Sequence, residues 1–217
     1  MIAALVQINT TVGDLAGNAA RIVEQAARAA EAGAQLIVFP ELALSGYPPE
    51  DLVLKRHFLR ACEQQLEELA GKLPREALVL VGCPREIAGH PANTAVAFAS
   101  GKIAGCYRKM ALPNYGVFDE KRVFTAGEKP MIVQVNGMRL GIHICEDSWN
   151  SSSPAAKLLA NTGLSALINL SASPYHRGKL SLREETLRAM AARIRAPLLY
   201  CNLVGGQDEL VFDGASL

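Results

Sequence analysis

Between Leu78 and Cys145 the chain places roughly five strand-like segments in succession with no helical segment among them. That order excludes a sheet made only of parallel strands, in which each strand needs its own crossover. The segments are Leu78–Val81, Asn93–Ala99, Lys102–Arg108, Met131–Val135 and Arg139–Cys145, with Ser100-Gly101 and Asn136-Gly137 as two-residue hairpin turns. Helical periodicity lies on either side. Ala19, Ile22, Val23, Ala26 and Ala30 form one stripe of a helix over Asn18–Ala32, closed by Gly33, and a second helix is expected over Val53–Leu73. Ser151-Ser152-Ser153-Pro154 offers an N-cap for a helix to Asn161, and another runs over Lys179–Ile194. Strands at residues 2–8, Leu36–Phe39, Ala166–Leu170, Leu198–Leu203 and Glu209–Phe212 complete the set. Two mixed sheets packed face to face, with the helices outside, satisfy this α/β order.

With 217 residues, half of them hydrophobic, the chain can bury the core of a single domain, and residues 1–217 are read as one. Its 22 basic and 21 acidic residues nearly cancel, which argues against nucleic acid or an anionic membrane as partner. No leader-like or transmembrane-length apolar segment is present, so the cytoplasm is the expected location. The five cysteines, at 62, 83, 106, 145 and 201, are odd in number and widely spaced; with no metal-binding spacing among them or the four histidines, neither a disulfide framework nor a metal site is expected. The last residues, Asp213-Gly214-Ala215-Ser216-Leu217, read as a turn whose next strand has barely begun, the expectation being a domain incomplete at its C-terminus.

Chemistry concentrates where apolar strands give out. Cys145 ends the Arg139 strand, Glu41 follows Leu36–Pro40, and Lys109 follows Ile103–Arg108 at the head of a long aperiodic loop reaching Lys129. A nucleophilic thiol needs a base or a positive charge and a donor for the oxyanion it creates. These three residue types supply those needs, although spacing alone does not bring them together. His143, two residues before Cys145, is expected on the same strand face, either assisting the thiol or satisfied in the core.

On these residues the chain resembles the nitrilase superfamily of carbon-nitrogen hydrolases. The matching windows are Phe39-Pro40-Glu41-Leu42, Tyr107-Arg108-Lys109-Met110-Ala111-Leu112-Pro113 and Ile144-Cys145-Glu146-Asp147. A narrower likeness, to the N-terminal glutaminase domain of glutamine-dependent NAD synthetases, is carried by Gly46-Tyr47-Pro48-Pro49-Glu50-Asp51-Leu52, by Leu112–Phe124 and by Cys145-Glu146-Asp147-Ser148-Trp149. The resemblance implies a four-layer α-β-β-α sandwich and a Cys145, Glu41, Lys109 triad with Glu120 as accessory glutamate. Cys145 would attack the glutamine amide, Glu41 would carry protons, and Lys109 with the Glu146 amide would hold the oxyanion, the lysine also favouring thiolate. Tyr47, Tyr115, Glu146, Ser173 and Lys179 would touch substrate, with Ser171 and Arg177 as local rivals of the last two. No cofactor is implied for this domain; ATP, magnesium and deamido-NAD belong to a C-terminal synthetase domain that these residues do not contain, and a homo-oligomer is expected. A free-standing amidase or carbamoylase of the same superfamily, or an inactive docking or regulatory module, remain the alternatives.

Overall fold

The computed structural model describes residues 1–217 and arranges them in four layers. The first sheet contains β1 (Ala3–Leu5), β2 (Leu36–Val38), β3 (Leu78–Ile87), β4 (His90–Ala99) and β5 (Lys102–Arg108), in that spatial order. The second contains β6 (Met131–Val135), β7 (Met138–Ile144), β8 (Ala166–Ser171) and β9 (Leu198–Asn202), and β10 (Val204–Gln207) pairs with β11 (Leu210–Asp213) as a separate hairpin. Strands β1 to β3 are mutually parallel, as are β7 to β9, while β4, β5 and β6 join antiparallel. The parallel joins need crossovers, which are α1 (Leu15–Glu31), α2 (Arg56–Lys72), α4 (Pro154–Leu159) and α5 (Lys179–Ile194).

Alternation along the strands builds the layers. Ile37, Val79, Val81 and Phe98 face α1 and α2, whereas Leu36, Val38, Leu78, Leu80 and Ala97 meet Leu140, Ile142, Ile144, Ile168 and Leu170 between the sheets. Leu167 faces outward from the second sheet onto Leu159, Met190 and Ile194 of α4 and α5. No helix is long and apolar enough to cross a membrane.

Several boundaries differ from the sequence expectation for local reasons. Helix α1 starts at Leu15 because the Asp14 side chain caps it, accepting from Gly17 N at 2.9 Å, and Asn18 lies buried inside, bonded to Thr11 and Leu44. Helix α2 starts at Arg56 after a 3₁₀ turn over Glu50–Leu54. Strands β3 and β4 continue well past their apolar runs to a tight turn at Ala88-Gly89, both at positive φ. Beyond Leu80, β3 has lost its β2 neighbour, so Pro84 leaves no ladder bond unmade there. A short helix, α3 (Glu120–Val123), interrupts the expected loop.

Two reversals through β4 and β5 return the chain to the direction of β2, so Glu41 and Lys109 leave the first sheet at the same end of its strands. The segment carrying Glu41 crosses directly over Gly82 of β3, where any Cβ would overlap Leu42 N and Pro40 O. Gly82→Ala is therefore expected to destabilise the fold by about 1 to 3 kcal/mol or more, read as a lower chemical-denaturation midpoint; an unchanged midpoint would mean that the crossing is loose.

Candidate functional site

Glu41 is 1% exposed and its carboxylate is held on both oxygens. Oε1 accepts from Asn93 Nδ2 at 2.8 Å and Lys109 Nζ at 2.7 Å, and Oε2 accepts from the Ala172 amide at 3.0 Å. Lys109 has no exposed surface; its backbone amide donates to Asn93 O at 2.9 Å, which fixes the residue where β5 ends. Its ammonium also donates to Glu120 Oε1 at 2.7 Å. Two of its three protons are thus placed and one remains.

The charges in this cluster shape one another. Burial alone would pull Lys109 down, but Glu120 and Glu41 more than reverse this and hold it protonated well above the usual lysine range. Glu120 is pushed up to about 7, first by burial and then by the Glu41 charge, against the pull of Lys109. Its Oε2 is buried without a partner, which penalises the ionised form.

Cys145 is the first residue of a 3₁₀ turn, Cys145–Ser148, and has φ of 40°, so the backbone turns sharply at the thiol. Burial and the Glu41 charge raise its pKa well above the ordinary thiol value, with Lys109 acting in the opposite sense. Lys109 favours thiolate as expected, but desolvation and the carboxylates outweigh it and favour the neutral thiol. The turn breaks the strand alternation, so the expectation that His143 shares a face with Cys145 does not hold. His143 is buried with its Nδ1 3.1 Å from Ser148 Oγ, and burial lowers its pKa. Ser148 Oγ in turn accepts from Asn169 Nδ2, which also donates to Cys145 O. This is a core histidine beneath the turn, held through Nδ1 with its Nε2 buried and unpartnered.

One carboxylate ties the turn to the lysine strand. Asp147 Oδ1 accepts from the amides of Met110 and Ala111 at 3.2 and 2.8 Å, and Oδ2 accepts from Tyr107 OH at 2.8 Å and the Ile144 amide at 3.0 Å. Asp147 and Asn93 were not singled out by sequence. Asp147 had the only available signal, its place two residues after Cys145; a lone Asn in an apolar strand carries none.

The expected substrate contacts are distributed around this centre. Tyr47 is buried rather than exposed on its loop, packing edge-on against Phe212, with its hydroxyl 3.5 Å from Glu120 Oε1. Tyr115 is exposed and donates to Glu146 Oε2 at 2.8 Å. Lys179 lies half-buried, its Nζ 3.9 Å from the centroid of the Trp149 ring, and burial lowers its pKa, whereas Arg177 is exposed. Ser171 Oγ donates to Asn169 Oδ1 at 2.6 Å, so this hydroxyl belongs to the network under the turn. Ser173 is buried, with its amide on Asn202 Oδ1, and makes no hydrogen bond to the other expected contacts. Tyr115 and Lys179 both line an open cleft of about 380 Å³ that also includes Phe118, Tyr175 and Leu210.

The pattern of the carbon-nitrogen hydrolase family matches residues 2–217. A glutamine-dependent NAD(+) synthetase of Thermotoga maritima is 44% identical over 213 residues, covering 98% of this chain. The chain spans 37% of that relative's length. Among solved structures, a glutamine-dependent NAD+ synthetase from Acinetobacter baumannii superposes with a TM-score of 0.93 at 35% identity, covering 99% of this chain and 40% of the other. An amidase from Nesterenkonia sp., with the acetamide moiety of fluoroacetamide covalently added at its active-site cysteine, superposes with a TM-score of 0.85 at 28% identity, covering 99% of this chain and 80% of the other.

The raised Glu120 value has a consequence for stability. Starting from an ordinary value of 4.5, its contribution is present in full below about pH 4.5 and is lost as pH rises through about 7. Glu120→Gln is expected to remove a decline on the order of 3 kcal/mol between those limits. Denaturation midpoints of both proteins across pH 4 to 8 measure it; parallel curves would show that Glu120 does not titrate there.

Proposed function

Because the chain belongs to the carbon-nitrogen hydrolase family, we propose that it hydrolyses the side-chain amide of glutamine through a thioester on Cys145 and supplies ammonia for NAD synthesis. The observation that carries this reading is the buried Glu41–Lys109–Glu120 cluster together with the buried Cys145 thiol on which its charges act. A neutral, desolvated thiol is unreactive until a base takes its proton, and Glu41 is the carboxylate whose charge acts most strongly on it. As sulfur attacks the amide carbon, Glu41 takes the S–H proton and the carbonyl oxygen becomes an oxyanion, met by the remaining Lys109 proton and the Glu146 amide. Collapse breaks the C–N bond, the nitrogen takes the proton from Glu41, and ammonia leaves. Glu41 then takes a proton from water, whose oxygen attacks the thioester and releases glutamate and the thiol.

Glutamine rather than a simpler amide is favoured by charges placed away from the reacting atoms. Glu146, oriented by Tyr115, would receive the α-ammonium, and Lys179, fixed against Trp149, the α-carboxylate. Tyr47 and Ser173 would shape the inner wall of the site. The ammonia would pass to a C-terminal synthetase domain using ATP, magnesium and deamido-NAD, within an assembly of several copies. A second reading, a free-standing amidase, draws on the amidase that this chain covers to 80% of its length.

In the full-length protein, Cys145→Ala is expected to abolish glutamate release from glutamine while ammonia-dependent NAD synthesis continues; retained release would refute the nucleophile. Glu41→Gln is expected to remain folded with turnover reduced at least about 10²-fold, on the scale of general acid–base contributions. Faster hydrolysis of a simple aliphatic amide than of glutamine by the unmodified protein would favour the amidase reading instead.

A further inference from the structure

Asn93 and Thr94 are fully buried polar neighbours on β4, at the level where Glu41 and Lys109 leave the sheet. Thr94 spends its proton locally, on Cys83 O across the hairpin at 2.6 Å. Asn93 joins two different segments. Its carbonyl accepts from the Lys109 amide at 2.9 Å and its Nδ2 donates to Glu41 Oε1 at 2.8 Å. An ionised carboxylate only accepts, so the amide nitrogen must face Glu41, and Oδ1 is left buried with no partner. An unpaired buried acceptor is a burden on folding that a leucine of similar size would not impose. Retaining an amide here therefore needs a reason other than packing.

Counting lone pairs supplies one. Each carboxylate oxygen has about two acceptor positions. On Glu41, Oε1 receives both Lys109 Nζ and Asn93 Nδ2 and is full. Oε2 receives only the Ala172 amide and has one position left. The titratable groups facing this carboxylate are Lys109 from the end of β5, Glu120 from α3, Tyr47 from the loop after β2, and Cys145 and Glu146 from the turn after β7. Asn93 is the neutral donor among them, unable to take or lose a proton.

We infer that Asn93 is a positioning residue that, with Lys109, saturates Oε1 of Glu41 and so directs the thiol proton onto Oε2. The inference rests on the reading of Glu41 as the proton carrier. In the step concerned the S–H bond breaks, its electron pair stays on sulfur, and an O–H bond forms at Oε2, moving the negative charge from carboxylate to thiolate. Without the amide, Oε1 has an open position pointing into the first sheet. The carboxyl can then rotate or protonate on an oxygen that cannot return its proton to the leaving nitrogen.

The test uses the full-length protein with Asn93→Leu, which keeps the volume and removes the donor, and Asn93→Asp, which keeps the shape and replaces the donor with an acceptor. Asn93→Leu is expected to lower kcat for glutamine about 10- to 100-fold, as misplaced proton transfer does, with KM changed less than about two-fold on the same grounds. The acidic limb of its kcat profile should move to higher pH, and further in Asn93→Asp, where two adjoining carboxylates must share a proton. Ammonia-dependent NAD synthesis should be unchanged, and a cooperative thermal transition of this domain reports its folding. Normal kcat with an unmoved acidic limb in either variant overturns the inference. So does a change confined to KM, which marks a substrate contact, or a loss of kcat with no shift of the limb, which marks a structural role. If Asn93→Leu is insoluble, Asn93→Asp decides by the same limb. Full turnover in Glu41→Gln defeats the underlying reading of Glu41; an inactive Glu41→Gln beside normal Asn93 variants defeats only the role of Asn93.

Discussion

An ammonium with no exposed surface lies between two carboxylates, and the arrangement of the rest of the domain follows from keeping it there. Lys109 out of water is tolerable only with close counter-charges and its hydrogen bonds made. Two ionised glutamates around one lysine would leave a net negative charge in the same dry space, and the raised value of Glu120 is the response. The cluster draws Glu41 from the end of β2, Lys109 from the end of β5 and Glu120 from α3, and Glu41 is held further by Asn93 of β4 and, from the second sheet, by the Ala172 amide. The two sheets must therefore pack in one register for the cluster to exist.

The same dryness defines the state of the thiol. Water that would stabilise a thiolate is excluded together with the water that would hydrate the lysine, so the cysteine rests neutral beside a charged pair. On the proposed reading, charge appears on sulfur only when a proton leaves it for Glu41. On the same reading, this ties reactivity to the presence of substrate, since the oxyanion donor and the base belong to one hydrogen-bonded unit.

Sequence periodicity located most elements because most of them bury one face. Strands Lys102–Arg108 and Met131–Val135 and helix Lys179–Ile194 were legible to the residue, being bounded by Gly, Asn-Gly or a change of period. The outer halves of β3 and β4 were not, because backbone pairing continues there after the apolar alternation has stopped. In the site, Glu41, Lys109 and Cys145 were visible as reactive types at strand ends, and the family resemblance supplied Glu120. Asn93 and Asp147 were illegible for a physical reason: their importance lies in whom they bond, across 52 residues for Asn93 and 36 or more for its longer reaches from Asp147 to Met110, Ala111 and Tyr107. The His143 expectation failed because alternation was carried one residue too far, past the point where Cys145 turns out of the strand.

Asp147 grips the backbone just after Lys109 and the backbone just before Cys145 with one carboxyl group. The two segments come from different sheets, yet their separation is set by a planar unit a few bonds wide. Slow breathing of one sheet against the other must then carry both segments as a single body, and the spacing between thiol and ammonium is insulated from the softest motion of a two-sheet sandwich.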